Sequence, residues 1–319
     1  MDSSRRIFKE LISLDEALRR LMSEIKPKPL GLEKVPLAEA YGRVLASDVF
    51  ASVDVPPFDR AAMDGYAVKA ESTFGASETK PVRLKVAGRI FAGEKPEIKV
   101  SREVAVEIAT GAPLPVGADA VVPVEHTTLK DGVVEVYKPV HPYENVSHAG
   151  SDISAGELVL AKGTRLTSRE IGVLAALGLK DVPCYVKPKV CIVSTGGELV
   201  SPGEALEYGK IYDINSYTLA SAVAECGCQP ITLGLVEDNV ESVREAILRG
   251  LSLGDILVFS GGVSAGAGDI IYRVVGELED CRILFHGVSI KPGKPTMAAL
   301  VRGKPLFSLP GYPVSALMV

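Results

Sequence analysis

The stretch Asp255–Asp269, DILVFSGGVSAGAGD, decides the predicted fold, because an unbroken apolar run leads directly into a glycine-rich loop. The run from Ile256 to Phe259 is typical of a parallel strand that helices cover on both faces. Such a strand predicts a doubly wound sheet, whose ligands bind outside the carboxyl ends of the strands. The loop from Ser260 to Asp269 leaves the strand at that end, and we therefore expect the chemistry there.

The glycine-rich loop matches neither common nucleotide-binding motif. Gly266 and Gly268 do not complete G-x-G-x-x-G, and no G-K-[ST] follows. Neither a Rossmann cofactor nor a P-loop nucleotide is indicated. A flexible connection between two elements is the simpler interpretation of such a loop, and the segments around it decide between the two interpretations.

Composition bounds the class of protein. A length of 319 residues predicts two or three domains. The 47% of residues that are hydrophobic are enough to form several cores. A net charge of −5 and the lack of long basic runs argue against broad nucleic-acid binding. No apolar run reaches the length of a membrane span, and the first residues lack the apolar segment of a signal peptide. Five cysteines, an odd number, predict free thiols and a cytoplasmic location.

Helix signals flank a region rich in β-branched residues. Leucines at helical spacing predict an opening helix that Ser13 caps and Pro27 ends. The segment 36–49 predicts a second short helix followed by an extended exit. The sequence TSRE at 167–170 is a capping-box pattern, and it predicts the start of a later helix that Gly178 ends.

Residues 82–140 carry short β-branched segments between glycines and prolines, which predicts an all-β insert. Within it, Asp131-Gly132 predicts a two-residue hairpin turn. Ahead of the insert, Asp64-Gly65 taken by itself indicates another hairpin turn. Thr110 and Asp152, each in a glycine-containing loop, taken by themselves indicate local turns.

From Lys189 onward, strands, loops and helices alternate, and Asn215 and Ser216 are predicted to cap the first of these helices. The predicted fold class is therefore α/β plus β in several domains. The predicted boundaries are 1–54 with 149–187 for an elongated linking domain, 55–148 for the inserted β domain, and 188–319 for the doubly wound α/β domain.

The predicted sheet gathers polar loops at one edge. Right-handed crossovers bring 194–198, Asp238 and 260–269 together there. Glycine-rich turns offer backbone N–H groups to an anion, and Lys291 and Lys294 suit a phosphate.

Carboxylates stand beside these phosphate-binding elements. Glu198, Asp238 and Asp269 make chemical sense there if Mg²⁺ bridges them to a phosphate-containing ligand. Each of them alone is also consistent with a cap, a turn or a solvated charge, so their convergence carries the prediction.

Several motifs resemble one family in sequence and in order. They are PPFDRAAMDGYAV, ATGAP, DISAGELVLAKGTRL, STGGELV, GKIYDINSYTL, SGGVSAGAGD, IKPGKPT and LPGYPVSA. They occur in the order seen in the MoeA family of molybdopterin molybdenumtransferases, which is similar to the E domain of gephyrin. The resemblance runs over almost the whole chain, and its α/β domain resembles the MogA-type domain.

The resemblance implies a specific activity and set of partners. The protein would take adenylylated molybdopterin and molybdate as substrates, insert the metal into the dithiolene, and release AMP with the aid of Mg²⁺. The family acts as an elongated homodimer, in which Asp64 is expected to reach the α/β domain of the partner chain. Contact with a MogA-type adenylyltransferase is also expected.

The resemblance assigns roles to residues that match the motifs. The catalytic set is Asp64, Thr110, Asp152, Glu198, Asp238 and Asp269, of which Glu198, Asp238 and Asp269 are the expected metal ligands. The pterin and phosphate cradle is expected from Ser194, Thr195, Gly196, Ser260, Gly261, Gly262, Ser264, Lys291, Lys294, Pro310 and Gly311.

The chain departs from the family pattern at a few places. Gly197 stands where many bacterial members have an aspartate, and Gly287 stands where a lysine is frequent. Tyr312 replaces an asparagine, and it either stacks on a flat ring or packs within the protein. Family members continue beyond the position of Val319 into a small β-barrel domain, so we expect a further C-terminal domain.

Two other functions stay open at this point. One is a molybdopterin adenylyltransferase, because the α/β domain resembles the MogA-type domain. The other is a gephyrin-like scaffold without catalysis. The sequence does not distinguish molybdate from tungstate, because the two oxyanions have nearly the same size and charge.

Overall fold

The computed structural model describes residues 11–262 and 269–319, which fold into two compact units. The first, which we call the α/β unit, combines the described residues up to Glu33 with Tyr185–Val319. The second, the β unit, is Lys34–Cys184. The predicted boundaries at 54, 148 and 187 are finer than this division and stay a prediction.

Helices and strands are distributed unequally between the two units. The α-helices are α1 Leu14–Ile25, α2 Ser168–Ala176, α3 Asn215–Glu225, α4 Val240–Leu253, α5 Ile270–Gly276 and α6 Pro313–Leu317. The strands up to residue 185 are β1 Leu32–Pro36, β2 Val49–Phe50, β3 Arg60–Ala61, β4 Gly65–Val68, β5 Val82–Ile90, β6 Val104–Ile108, β7 Ala120–Pro123, β8 Thr127–Lys130, β9 Val133–Val136, β10 Val146–Ser147, β11 Leu158–Leu160 and β12 Asp181–Tyr185. The remaining strands are β13 Lys189–Thr195, β14 Leu199–Val200, β15 Ile211–Tyr212, β16 Gln229–Val236, β17 Ile256–Ser260, β18 Cys281–His286, β19 Met297–Val301 and β20 Lys304–Leu309. None of the described helices is long and apolar enough to cross a membrane.

The α/β unit is built on a six-stranded sheet with the order β16-β13-β17-β20-β19-β18. Strands β16, β13, β17 and β20 run parallel, whereas β19 runs antiparallel to both of its neighbours. Strand β17 lies inside this sheet, as expected of its unbroken apolar sequence.

Separate cores cover the two faces of the sheet. On one face Leu257 and Phe259 pack with apolar side chains of α4 and α5, and on the other Ile256 and Val258 pack near Leu219 of α3 and α6. A fully buried side chain of this size stabilises the fold by roughly 1.5–3 kcal/mol. The prediction of a doubly wound α/β fold combined with a β region is thus confirmed.

Local sequence signals explain how the helices begin and end. The Ser13 hydroxyl accepts the N–H of Glu16 at the start of α1, and the Asn239 side chain caps α4 in the same way. Thr167 and Glu170 form the predicted capping box of α2. Gly178 follows that helix with φ +73°, a conformation that favours glycine. The predicted Ser13 cap, the capping box at 167–170 and the helix end at Gly178 are confirmed.

The β unit contains a second six-stranded sheet, with the order β7-β4-β6-β5-β9-β8. Asp131 and Gly132 connect β8 to β9 with φ values of +52° and +76°, as a two-residue hairpin turn requires. The predicted hairpin and the predicted β-strand character of residues 82–140 are confirmed.

The segment 36–49 does not form the predicted helix. Only Leu37–Glu39 forms a short 3-10 helix. Beyond it, Gly42 and Leu45 donate their N–H groups to the carbonyls of Leu166 and Thr164. Backbone groups that bond to a distant segment cannot close the i to i−4 bonds of an α-helix, so tertiary contacts override the local pattern here.

Candidate functional site

A cleft of about 790 Å³ opens at the carboxyl ends of β13, β16, β17 and β20 in the α/β unit. Ligands of doubly wound sheets bind at this edge. The described residues that line it come from the loops after these strands and from the segment that leads into α3. They are Thr195, Gly196, Glu198, Leu199, Ile211, Tyr212, Asp213, Ile214, Asn215, Asp238, Ser260, Gly261, Gly262, Gly311, Tyr312 and Pro313.

Gly261 allows the loop after β17 to lie directly against β13. It has φ +90°, and a Cβ atom on it would lie 2.1 Å from the carbonyl oxygen of Thr195. No side chain fits in that space, so glycine is required for a close approach of two backbones. This contact positions residues 260–262 in the cleft beside Asp238, whose Oδ1 accepts the Thr195 hydroxyl at 3.3 Å.

Glu198 is placed by its neighbours in the loop after β13. A Cβ atom on Gly196 would lie 2.8 Å from either carboxylate oxygen of Glu198, so the glycine leaves room for this carboxylate. The Lys210 Nζ donates to the Gly197 carbonyl at 2.6 Å, and the Ile211 N–H donates to the Glu198 carbonyl at 2.9 Å. The loop is therefore tied to the segment that follows it.

A buried hydrogen-bond network lies beneath the cleft. The Asp213 Oδ1 accepts the Ser194 hydroxyl at 3.0 Å and the Ser216 N–H at 3.1 Å, which makes Asp213 the side chain that caps α3. The prediction that Asn215 and Ser216 provide this cap is wrong. The Asn215 amide instead donates to the Ser260 hydroxyl at 2.6 Å and the Gly311 carbonyl at 2.8 Å, which joins α3 to two cleft loops.

The described lining of the cleft is acidic. It contains the carboxylates of Glu198, Asp213 and Asp238 and no lysine or arginine. Lys291 and Lys294, predicted to contact phosphate, lie exposed in the turn between β18 and β19 and are not among the described lining residues. This turn is at the same edge of the sheet, but β19 and β20 separate β18 from β17.

Asp269 begins α5, and each of its carboxylate oxygens has a close polar neighbour. Its Oδ1 accepts the Tyr272 N–H at 2.9 Å, and its Oδ2 lies 2.8 Å from the Nε2 of His286. The His286 ring stacks on Tyr272 with ring centroids 4.5 Å apart. In 11–262 and 269–319, no group of three or more His, Cys, Asp or Glu side chains is arranged to hold a metal. The predicted ligand set of Glu198, Asp238 and Asp269 stays a prediction.

The cleft of the α/β unit therefore brings together some of the site residues that were predicted from the sequence. Cleft-lining residues among them are Thr195, Gly196, Glu198, Asp238, Ser260, Gly261, Gly262 and Gly311. Ser194 lies in the network beneath the cleft, and Pro310 directly precedes Gly311. Ser264 lies outside the described residues.

The sequence prediction missed Asp213, Lys210 and His286. The capping role of Asp213 could have been predicted, because aspartate is a preferred helix cap and this residue stands two positions before the start of α3. No local sequence pattern predicts the contacts of Lys210 and His286, because the fold brings each to its neighbour. Lys210 contacts the carbonyl of Gly197, and His286 contacts the carboxylate of Asp269.

The β unit holds a separate pair of predicted residues, Asp64 and Thr110. The Asp64 Oδ1 accepts the N–H of Thr110 at 2.7 Å and its hydroxyl at 2.9 Å. These bonds, the backbone bond first, hold the pKa of Asp64 below its usual range, and the charge of Arg89 adds to the effect. The carboxylate lies in a cleft of about 430 Å³ with Arg89 and Glu107.

Asp64 and Gly65 do not form the hairpin turn that the dipeptide indicates. Strand β3 pairs with β10, whereas β4 pairs with β6 and β7. Gly65 serves close packing, because a Cβ atom on it would lie 2.0 Å from the carbonyl oxygen of Val122. The Thr110 hydroxyl likewise bonds to Asp64 rather than closing a local turn. Asp152 is exposed, and its N–H donates to the Val55 carbonyl.

Comparison with known proteins identifies the family. Residues 12–178 match the MoeA N-terminal region (domain I and II), and residues 191–319 match the probable molybdopterin binding domain. Molybdopterin molybdenumtransferase 2 of Mycobacterium tuberculosis is 40% identical over 89% of this chain and 71% of its own length. The putative molybdopterin biosynthesis protein of Methanocaldococcus jannaschii is 39% identical over 96% of this chain and 76% of its own length.

A solved structure agrees with these relatives. The molybdopterin biosynthesis MoeA protein of Pyrococcus horikoshii superimposes with a TM-score of 0.81 and 43% sequence identity. The match covers 97% of this chain and 76% of that protein. On the strength of both family regions and these relatives, the chain belongs to the MoeA family of molybdopterin molybdenumtransferases, enzymes of molybdenum cofactor biosynthesis.

Proposed function

We propose that the protein inserts molybdate into adenylylated molybdopterin, with Mg²⁺-dependent release of AMP. The observation that carries this proposal is the charge of the cleft. Its described lining holds the carboxylates of Glu198, Asp213 and Asp238 and no cationic side chain. A phosphate-containing substrate would be repelled there unless a divalent cation stood between the like charges.

Two carboxylates at this edge suit magnesium. Mg²⁺ binds through one or two carboxylates together with substrate phosphates, and Glu198 and Asp238 supply two carboxylates at the cleft. Asp269 is the third proposed ligand, from the start of α5. When bound, the metal would neutralise the charge that develops on the departing phosphate oxygens.

The chain's own residues position the substrate around these carboxylates. The Thr195 hydroxyl orients Asp238, and the absence of a side chain at Gly261 and Gly262 would let the phosphates approach the backbone after β17 closely. Lys291 and Lys294 provide positive charge at the same edge of the sheet. From the β unit, Asp64, Thr110 and Asp152 are proposed catalytic residues, with Asp64 held ionised by Thr110.

Molybdate-dependent release of AMP from adenylylated molybdopterin tests the proposal. Glu198→Gln and Asp238→Asn keep the shape of the side chains but remove the negative charge, so we expect each to lower turnover by about 100-fold at saturating Mg²⁺. Glu237→Gln is the matched control, since this exposed neighbour of Asp238 does not line the cleft. Near-normal turnover in both cleft variants would overturn the carboxylate assignment.

The same assay separates the proposed activity from its rivals. An adenylyltransferase would consume ATP, and a scaffold would release no AMP when molybdate is added. Competition between molybdate and tungstate in one reaction mixture would show which oxyanion the protein prefers.

We further propose a cytoplasmic homodimer that receives its substrate from a MogA-type adenylyltransferase. The cytoplasmic setting is supported by the cysteines, all five of which are free thiols. Sedimentation equilibrium should give about twice the 33.7 kDa chain mass. A monomer at micromolar concentration would contradict the homodimer. Co-sedimentation with a MogA-type enzyme tests the second contact.

A further inference from the structure

We propose that Tyr312 is a specificity-determining residue, whose ring stacks on the flat nitrogen heterocycle of the ligand in the cleft of the α/β unit. The proposal rests on the proposed function of that cleft. An aromatic side chain at the mouth of a cleft can stack on a flat ring. Such stacking accepts different heterocycles, because each of them has a π-face.

Tyr312 does not pack against the described residues of its own chain. The residue is 78% exposed, although it lines the cleft and directly precedes α6. A tyrosine that stabilised the fold by packing would be largely buried. Its position next to Gly311 fixes the backbone, because the Gly311 carbonyl accepts a hydrogen bond from the Asn215 amide at 2.8 Å. The ring is therefore presented to solvent from an anchored loop.

Tyr312 belongs to an exposed apolar rim. Ile211, Tyr212 and Ile214 are 55%, 39% and 52% exposed, and all three line the same cleft. Single exposed apolar residues are ordinary on protein surfaces, whereas several around one concave opening indicate a binding surface. The Tyr212 hydroxyl donates to the Glu204 carbonyl at 3.1 Å, which fixes a second ring at this rim.

The cleft thus has two chemically different parts. Its exposed carboxylates, Glu198 and Asp238, suit a metal-bound phosphate, and its rim suits a flat apolar face. A ligand that matches both parts carries a phosphate at one end and an aromatic heterocycle at the other. Two sources fit this description in the proposed substrate, the adenine and the pterin.

Binding measurements with truncated ligands test the proposal. The probes are AMP, neopterin monophosphate and ribose 5-phosphate, each with Mg²⁺, and the readout is the dissociation constant from calorimetry. Tyr312→Asn should weaken one heterocyclic probe by about tenfold, since base stacking on an aromatic side chain is of that order. Ribose 5-phosphate, which lacks a heterocycle, should bind the variant and the wild type equally.

Two further variants control for indirect effects. Tyr312→Phe keeps the ring and should bind both heterocyclic probes like the wild type. Tyr208→Asn changes a fully exposed tyrosine that does not line the cleft, and it should have no effect. Weaker binding of AMP assigns the ring to adenine, and weaker binding of neopterin monophosphate assigns it to the pterin.

The outcomes separate this proposal from the function on which it rests. Unchanged binding of both heterocycles to Tyr312→Asn, with normal binding to the wild type, overturns the stacking role alone. Equal weakening of ribose 5-phosphate also overturns it, because the effect would then be structural. Failure of all three probes to bind the wild-type protein would instead contradict the proposed function of the cleft.

Discussion

The cleft of the α/β unit and the Asp64–Thr110 pair of the β unit both join residues that are far apart in sequence, but by different means. Thr195, Asp238 and Ser260 meet because parallel strands end at one edge of a sheet. Asp64 and Thr110 meet because Gly65 of β4 pairs with Ile108 of β6 in a particular antiparallel register. Strand order alone predicts the first meeting, whereas the second also needs the register.

The largest effect is expected from breaking the close packing of the β unit at Gly65. A Cβ atom there would lie 2.0 Å from the backbone oxygen of Val122, which cannot move without shifting β7. We expect Gly65→Ala to lower the free energy of unfolding of the β unit by about 3 kcal/mol, the cost of forced overpacking. Hydrogen exchange of peptides from β4 and β7 measures this loss.

Gly172→Ala is the control for that substitution. Gly172 lies in α2 of the same unit, and a Cβ atom on it would meet nothing within 4 Å. Alanine should stabilise this helix by about 0.5–1 kcal/mol. Peptides from the α/β unit serve as an internal reference, and equal exchange rates in the two variants would contradict the role of Gly65.

Local chemistry explains which elements could be predicted from the sequence. The Ser13 cap, the capping box at 167–170, the Asp131-Gly132 turn and the buried strand β17 each depend on residues within a few positions of one another. Such signals are present in the chain before it folds, so pattern analysis finds them.

The features that were wrong or missed depend on distant partners. The segment 36–49 fails to form an α-helix because N–H groups such as those of Gly42 and Leu45 bond to carbonyls more than a hundred residues away. Asp64-Gly65 is a turn signal that serves a contact with Thr110 instead. His286 reaches Asp269 only because β18 ends near the start of α5. Distant partners of this kind leave no periodic signal in the sequence.

A second prediction concerns the buried hydrogen-bond network beneath the cleft of the α/β unit. Asp213→Ala would leave the Ser216 N–H and the Ser194 hydroxyl without their acceptor beneath the cleft. We expect the start of α3 to lose about 2 kcal/mol of stability, as for loss of a helix cap at a buried position. Hydrogen exchange of α3 amides is the measurement.

Asp255→Ala is the matched control in the same unit. Asp255 accepts one exposed backbone N–H, from Lys189, so water can replace its carboxylate. We expect a loss of less than about 1 kcal/mol. If both variants exchange like the wild type in α3, Asp213 does not act as the cap.

The smallest effect sharpens the account of the Asp64–Thr110 pair, because it separates the hydroxyl bond from the backbone bond. Thr110→Val removes only the hydroxyl donor, so the pKa of Asp64 should rise, yet stay below its usual range because the backbone N–H still donates. A carboxyl whose pKa is lowered by folding adds stability above its unfolded pKa and loses it as pH falls through the folded value. The variant should therefore lose this contribution at a higher pH than the wild type.

Carbon-13 NMR titration of the Asp64 carboxyl measures the pKa directly, and Thr110→Ser, which keeps the hydroxyl, should titrate like the wild type. An identical pKa in the valine variant would show that the backbone bond alone holds Asp64 ionised.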